Sequence, residues 1–215
     1  ISLSRSIMPL LNRVRMLFDL NADPHLIMRH LGDTASAHPG LRVPGSFNRF
    51  ETAIRAILGQ QVSVKAASTL MSRFCLAFGD KLETPIEGLS IVFPSAKKIA
   101  ALSQEEIISI GLTSARAKTL ISFAQAVATD SISLELAIDP EDRIRQLKEL
   151  PGIGEWTAQY LAMRVLNWPD AFPAGDLGIR KALKIDNEKT VLAHAEKWRP
   201  WRSYAAMHLW KTLEI

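Results

Sequence analysis

The chain has 215 residues, of which 47% are hydrophobic, and a formal net charge of +4. That length holds one large domain or two small ones, and that hydrophobic share builds a sizeable core and excludes a disordered chain. A lone cysteine, Cys75, excludes internal disulfides and any four-cysteine zinc or iron–sulfur site, and no apolar run reaches the ~20 residues of a membrane span.

The periodicity is helical nearly throughout. Near the N-terminus, Leu10, Val14, Leu17 and Phe18 recur on one face. Asp23-Pro24 opens a short helix, with a capping side chain followed by proline at the first helical position. His38 to Ser46, with two Pro-Gly pairs, reads as loop. Two helices follow between Phe47 and Phe78, broken at Gly59-Gln60-Gln61. Residues 79–94 look irregular. Ser95 starts two short helices, and the second enters through Ser103 with Glu106 three residues on, a capping box. Further helices are predicted over Ser114–Ala128, Glu141–Glu149, Trp156–Leu166, Leu177–Leu183, Asn187–Trp198 and Arg202–Leu213. The stretch "NWPDAFPAGD" is loop. No β-hairpin and no repeat is evident. The expectation is an all-α fold of roughly ten helices.

Two stretches carry candidate chemistry. The first is "LPGIGEWTAQYL", Leu150 to Leu161. Pro151, Gly152, Ile153 and Gly154 lie between two amphipathic helices. Glycines permit positive φ and close backbone approach, and free N–H groups at a helix start attract anions. The turn is therefore either a phosphate grip or an ordinary helix–helix connection. Trp156 and Tyr160 share one helix face, and Trp210 lies in the last helix. Such rings are either core or a base-stacking surface. The second stretch is "PAGDLGIRKAL", in which Asp176 precedes a helix. It reads as an N-cap, or as a carboxylate facing a cleft where positive charge develops. Arg180, Lys181 and Lys184 form a basic stretch beyond it, and Arg199 and Arg202 suit a structural role at a helix start. The histidines show no metal-ligand spacing, and no Walker-type loop is present.

The blocks "LPGIGEWTAQYLAMRV", "FPAGDLGIRKAL" and "WRPWRSYAAMHLW", with "PGLRVPGSFNRFETAIRAILGQQVSVKAAS" ahead of them, resemble the helix-hairpin-helix DNA glycosylases, specifically the bacterial 3-methyladenine DNA glycosylase II (AlkA-type) branch. The likeness covers essentially the whole chain. It implies two helical subdomains with a cleft between them, residues 1–46 plus 177–215 forming one and 47–176, with the hairpin at 150–154, the other. It implies that Pro151, Gly152, Ile153 and Gly154 grip the DNA backbone, and that carbonyls of Lys148, Leu150 and Gly152 hold a monovalent cation, with no other cofactor required. Asp176 matches the family's catalytic aspartate. Trp156, Tyr160 and Trp210 match rings lining the base pocket. Gln60 and Gln61 match the segment entering the duplex, where the best-known members carry a leucine wedge in place of Gln61.

Lyase members of that family carry a lysine two residues after the last hairpin glycine. Trp156 stands there, so Schiff-base chemistry is not expected. The family's usual N-terminal β-rich domain is missing ahead of the first helix, and the chain begins without Met, so a fragment of a longer protein, with a further domain upstream, is expected. The resemblance implies a monomeric, cytoplasmic, nucleoid-associated bacterial enzyme acting on damaged double-stranded DNA. The competing reading is a non-catalytic DNA-binding or damage-sensing module using the hairpin only as a clamp.

Overall fold

A computed structural model describes residues 4–135 and 139–213. Its helices run in chain order as α1 (Ser4–Leu17), α2 (Pro24–Leu31), α3 (Asp33–Ser36), α4 (Arg49–Leu58), α5 (Val64–Phe78), α6 (Ala96–Ala100), α7 (Gln104–Ser109), α8 (Ser114–Ala128), α9 (Pro140–Glu149), α10 (Glu155–Arg164), α11 (Leu177–Leu183), α12 (Glu188–Ala195) and α13 (Arg202–Lys211). A 3-10 turn over Glu196–Trp198 follows α12. Within the stretch expected to be irregular, β1 (Asp80–Lys81) pairs antiparallel with β2 (Ile91–Val92). Two-residue strands carry no readable alternation, which is why the pattern missed them.

Local chemistry sets most helix starts. Asp23 accepts the N–H groups of His25 and Leu26, and Asn48, Ser63, Ser95 and Thr113 each accept an N–H from the first turn that follows. The capping box at Ser103 and Glu106 is complete in both directions. Each such cap satisfies a donor that the helix itself cannot.

Helices α4 to α10 pack on one another through α4–α5, α4–α8, α6–α8, α7–α8, α9–α10 and α4–α10 contacts. Helix α2 packs on α3, α3 packs on α13, which also meets α11, and α12 joins α11. Phe50, Phe74, Phe78, Phe93 and Phe123 form a connected aromatic cluster in the first group. The apolar face of α1 is not buried among the described residues. Leu10 and Phe18 are exposed, and Val14 and Leu17 are only partly covered.

One buried polar centre anchors the C-terminal helices. Asp170 is 5% exposed, and its Oδ1 accepts Nε of Arg202 at 2.9 Å while its Oδ2 accepts Nη1 of Arg199 at 2.6 Å. Arg202 is the first residue of α13, so the structural role expected for both arginines holds. Ser203, beside it, donates to the carbonyls of Trp168 and Ala171, both at 2.8 Å. The loop 167–176 is thereby fastened to α13 at its start.

A buried carboxylate stripped of one partner keeps its desolvation cost. Arg202→Ala should therefore destabilise the chain by about 3 kcal/mol, the low end for a broken buried pair because Arg199 remains. Urea denaturation measures this, and a loss under 1 kcal/mol would show the ion pair to be incidental.

Candidate active site

Asp176 ends the loop that follows α10 and caps α11. Its Oδ1 accepts the N–H of Ile179 at 3.0 Å and the indole N–H of Trp210 at 2.8 Å. Its Oδ2 accepts the indole N–H of Trp156 at 2.9 Å. Cap and cleft carboxylate, alternatives in the sequence, are one arrangement. Three helices, α10, α11 and α13, each contribute a donor. All three partners donate, so both oxygens are oriented as acceptors, and one lone pair on Oδ2 remains.

Space for the Trp210 ring comes from Gly178. A Cβ there would lie 3.0 Å from Oδ1 of Asp176 and 3.0 Å from Cδ1 of Trp210. The ring can reach the carboxylate only because the first turn of α11 lacks a side chain at that point.

Two cavities meet at Trp156, sharing Gly59, Val62 and the indole. One, of about 680 Å³, is lined by Gln60, Gln61, Gly152, Gly154, Asp176 and Leu177. The other, of about 600 Å³, is lined by Tyr160, Arg164, Arg55, Glu51, Asn48 and Ser46. Trp156 and Tyr160 stack with centroids 5.2 Å apart and planes 12° from parallel. Trp210 lines neither cavity and reaches the site through its bond to Asp176.

Arg164, which the sequence reading did not single out, lies 5.8 Å over the Tyr160 ring, and its Nη1 is 3.4 Å from the tyrosine hydroxyl. Its Nε donates to the carbonyl of Pro44 at 2.5 Å. The i,i+4 spacing of Trp156, Tyr160 and Arg164 on α10 is the signal that would have found it. Leu177, two-thirds exposed at the rim, was also missed.

The hairpin shows a division of labour between its glycines. Gly152 has φ +79, and a Cβ there would stand 2.0 Å from Oγ1 of Thr119 on α8, so neighbours require glycine. A Cβ on Gly154 would meet nothing within 4 Å. Gly154 also caps α10 without any side-chain hydrogen bond. The first amides of α10 are left uncapped beside open space, where a phosphate can approach. Ile153, by contrast, is buried in the core, so only its backbone is available there.

Glu155 opens α10 with a negative charge, and two donors offset it. Nζ of Lys148 binds its Oε2 at 2.5 Å, and Nε2 of Gln159 binds its Oε1 at 2.9 Å. Burial pushes the Glu155 carboxyl up, but these bonds outweigh it and hold it below the usual glutamate range.

Gln60 turns inward. Its Nε2 donates to the carbonyl of Gly152 at 3.1 Å and to Oγ1 of Thr157 at 2.9 Å, and its own carbonyl accepts Nη2 of Arg116 at 2.6 Å. Gln61 is exposed at φ +55 and forms the tip of the turn. Of the carbonyls expected to hold a cation, that of Leu150 accepts the N–H of Ile153 and that of Gly152 accepts Gln60. Each keeps one lone pair. No group of three or more His, Cys, Asp or Glu side chains among the described residues could hold a metal. No helix among the described residues is long and apolar enough to cross a membrane.

The chain is 39% identical over 220 residues to a protein of Mycobacterium tuberculosis named probable bifunctional transcriptional activator/DNA repair enzyme AlkA, covering 98% of this chain and 44% of that one. It thus spans less than half the length of that relative. It is 36% identical over 202 residues to the DNA-3-methyladenine glycosylase 2 of Escherichia coli, covering 94% and 71% respectively. Among solved structures, a Schizosaccharomyces pombe 3-methyladenine DNA glycosylase in complex with abasic DNA superposes with a TM-score of 0.66 at 26% identity, covering 89% of this chain and 91% of that one. A 3-methyladenine DNA-glycosylase from Archaeoglobus fulgidus reaches 0.79 at 24% identity, covering 96% and 74%, and shares the fold.

Residues 1–48 match the family described as AlkA N-terminal domain. Sequence of that domain is therefore present, which narrows the expectation that it is missing; the described residues there are helical, with no strand among them. Residues 54–198 match the HhH-GPD superfamily of base excision DNA repair proteins, and the chain belongs to it.

Proposed function

We propose that the chain is a monofunctional DNA glycosylase that removes alkylated, 3-methyladenine-type bases from double-stranded DNA by hydrolysing the N-glycosidic bond. The observation that carries this reading is the Asp176 carboxylate, held by two indoles and a backbone amide at the rim of a cavity beside an uncapped helix start. The relatives named for this activity, and the neighbour solved on abasic DNA, support it.

The steps follow from the parts. Amides of Gly154 and the first turn of α10 take a phosphate of the DNA backbone, fixing register without reading sequence. The exposed turn at Gln61 faces the same cavity as Asp176 and suits a group entering the duplex once the damaged nucleotide has swung out. The bond between C1′ and the base nitrogen breaks, with its electron pair leaving on the base. Asp176 stabilises the positive charge that develops on the sugar. Water then adds to C1′ and loses a proton, giving free base and an abasic site. The lone pair left on Oδ2 can face either the sugar or that water.

A base alkylated on a ring nitrogen is cationic, so it leaves readily and is favoured over electron-rich rings by about 0.5–2 kcal/mol. Tyr160 already has Arg164 over its ring and Trp210 lines neither cavity, so this preference rests on Trp156. No lysine lines either cavity among the described residues, which supports hydrolysis without a Schiff base. A monovalent cation held by the carbonyls of Lys148, Leu150 and Gly152 would supply electrostatic bracing of the turn against phosphate and no step of the cleavage. We read the enzyme as a cytoplasmic monomer, with a regulatory or methyl-accepting domain upstream as an open association.

Asp176→Asn should slow release of methylated purine from alkylated duplex by about 100-fold or more, as for removal of a central electrostatic group. Single-turnover assays with a gel-shift control read this. Release at the parental rate overturns the mechanism, and a parent that binds DNA without releasing base favours the non-catalytic module.

Gly178→Ala tests the packing behind the carboxylate. The added methyl must displace Trp210 or Asp176, and a displacement near 1 Å costs roughly 10- to 100-fold in rate. The same assay checks it, and an unchanged rate would show that the ring's place is immaterial.

A further inference from the structure

Gln159 lines neither cavity, yet its amide joins the two halves of the site. It lies on α10, one residue before Tyr160. Its Nε2 donates to Oε1 of Glu155 at 2.9 Å, and its Oε1 accepts the backbone N–H of Phe172 at 3.0 Å. A carboxylate only accepts and a backbone N–H only donates, so the neighbours fix which way the amide points. The other oxygen of Glu155 is bound by Nζ of Lys148 at 2.5 Å, from the last turn of α9.

On its far side the link enters the loop that carries Asp176. Phe172 is 1% exposed, so Gln159 supplies a partner that water cannot replace. From Phe172 the backbone is short and self-bonded. The N–H of Ala174 donates to the carbonyl of Phe172 at 2.9 Å, and the N–H of Asp176 donates to that of Pro173 at 2.9 Å. An unbroken series of bonds therefore runs from Lys148, across the mouth of the hairpin, through Glu155 and Gln159, to the backbone of Asp176.

We propose that Gln159 is a positioning residue: it holds the Phe172–Asp176 loop, and with it the carboxylate, at a fixed place relative to the hairpin that grips the phosphate. The hairpin sets where the sugar lies. The Gln159 tether sets where the carboxylate lies. This role rests on the glycosylase reading, since only a reaction at the sugar demands that register.

The test uses the whole chain and two readouts, single-turnover base release with the DNA dissociation constant beside it, and hydrogen exchange of residues 172–176. Gln159→Met keeps the length and removes both bonds. It should slow base release by about 10-fold or more while the dissociation constant stays within about 2-fold. Exchange over 172–176 should rise while 150–154 stays protected. Gln159→Glu alone sets two carboxylates against each other and should also be slow. The double variant Glu155→Gln/Gln159→Glu restores donor facing acceptor and should recover to within about 3-fold of the parent. It also keeps the test alive if Gln159→Met does not fold.

An unchanged rate in Gln159→Met, affinity falling in step with rate, or no recovery in the double variant overturns the proposal. If the parent releases no base, the glycosylase reading fails, and the exchange measurement still decides whether Gln159 tethers the loop.

Discussion

A single carboxylate that must be held from three directions sets the terms for the rest of the structure. Asp176 takes one N–H from each of α10, α11 and α13. Indole N–H groups are rigid donors on bulky rings, so the helices carrying Trp156 and Trp210 must arrive at set distances and angles. Gly178 clears the way for one ring. The Asp170 centre locks the start of α13, and the loop leading to Asp176, in mutual register. The contribution of Gly178 and of the Asp170 centre is geometric, since neither lines the cavity that Asp176 faces.

The hairpin is the second fixed point, and its two glycines serve different partners. Gly152 answers to this chain, because Thr119 leaves no room for a side chain and the backbone there is left-handed. Gly154 answers to nothing in the chain, and its bareness leaves the α10 amides open to an anion. Gln60 ties the first hairpin glycine to the turn whose tip is Gln61. The hairpin and the turn at Gln61 are therefore bonded to each other, even though they are far apart in sequence.

Much of this was legible in the sequence where the cause is local. Caps such as Asp23 and the box at Ser103 and Glu106 depend on neighbours within one turn, and they stand where the pattern put them. Asp176 was readable as an N-cap for the same reason, and as a catalytic carboxylate through the resemblance. What could not be read is that these roles are compatible, since one oxygen serves the cap and both serve the indoles. Gln159 escaped because its importance lies in what it reaches, the Phe172 amide, and not in its own spacing, whereas Arg164 carried a readable signal in its i,i+4 spacing from Tyr160 but not in its reach to the Pro44 carbonyl. The face of α1 misled in the opposite sense. Its periodicity is amphipathic, yet periodicity says only that a face could be buried, and here Leu10 and Phe18 stay exposed while Val14 and Leu17 are only partly covered.

The placement of Arg164 bears on what the site selects. A pocket of bare aromatic rings favours any cation that enters. Here Tyr160 sits between Trp156 and a guanidinium, four residues to either side on α10. A positively charged base pressed onto Tyr160 would meet like charge in a partly desolvated cavity, where repulsion is poorly screened. On the proposed reading, the favourable ring for such a base is therefore Trp156, whose indole bonds Asp176, next to the negative charge itself. On that reading, attraction to the carboxylate and attraction to the ring coincide at one end of the site, and a cationic base would be drawn toward the sugar bond that is to break.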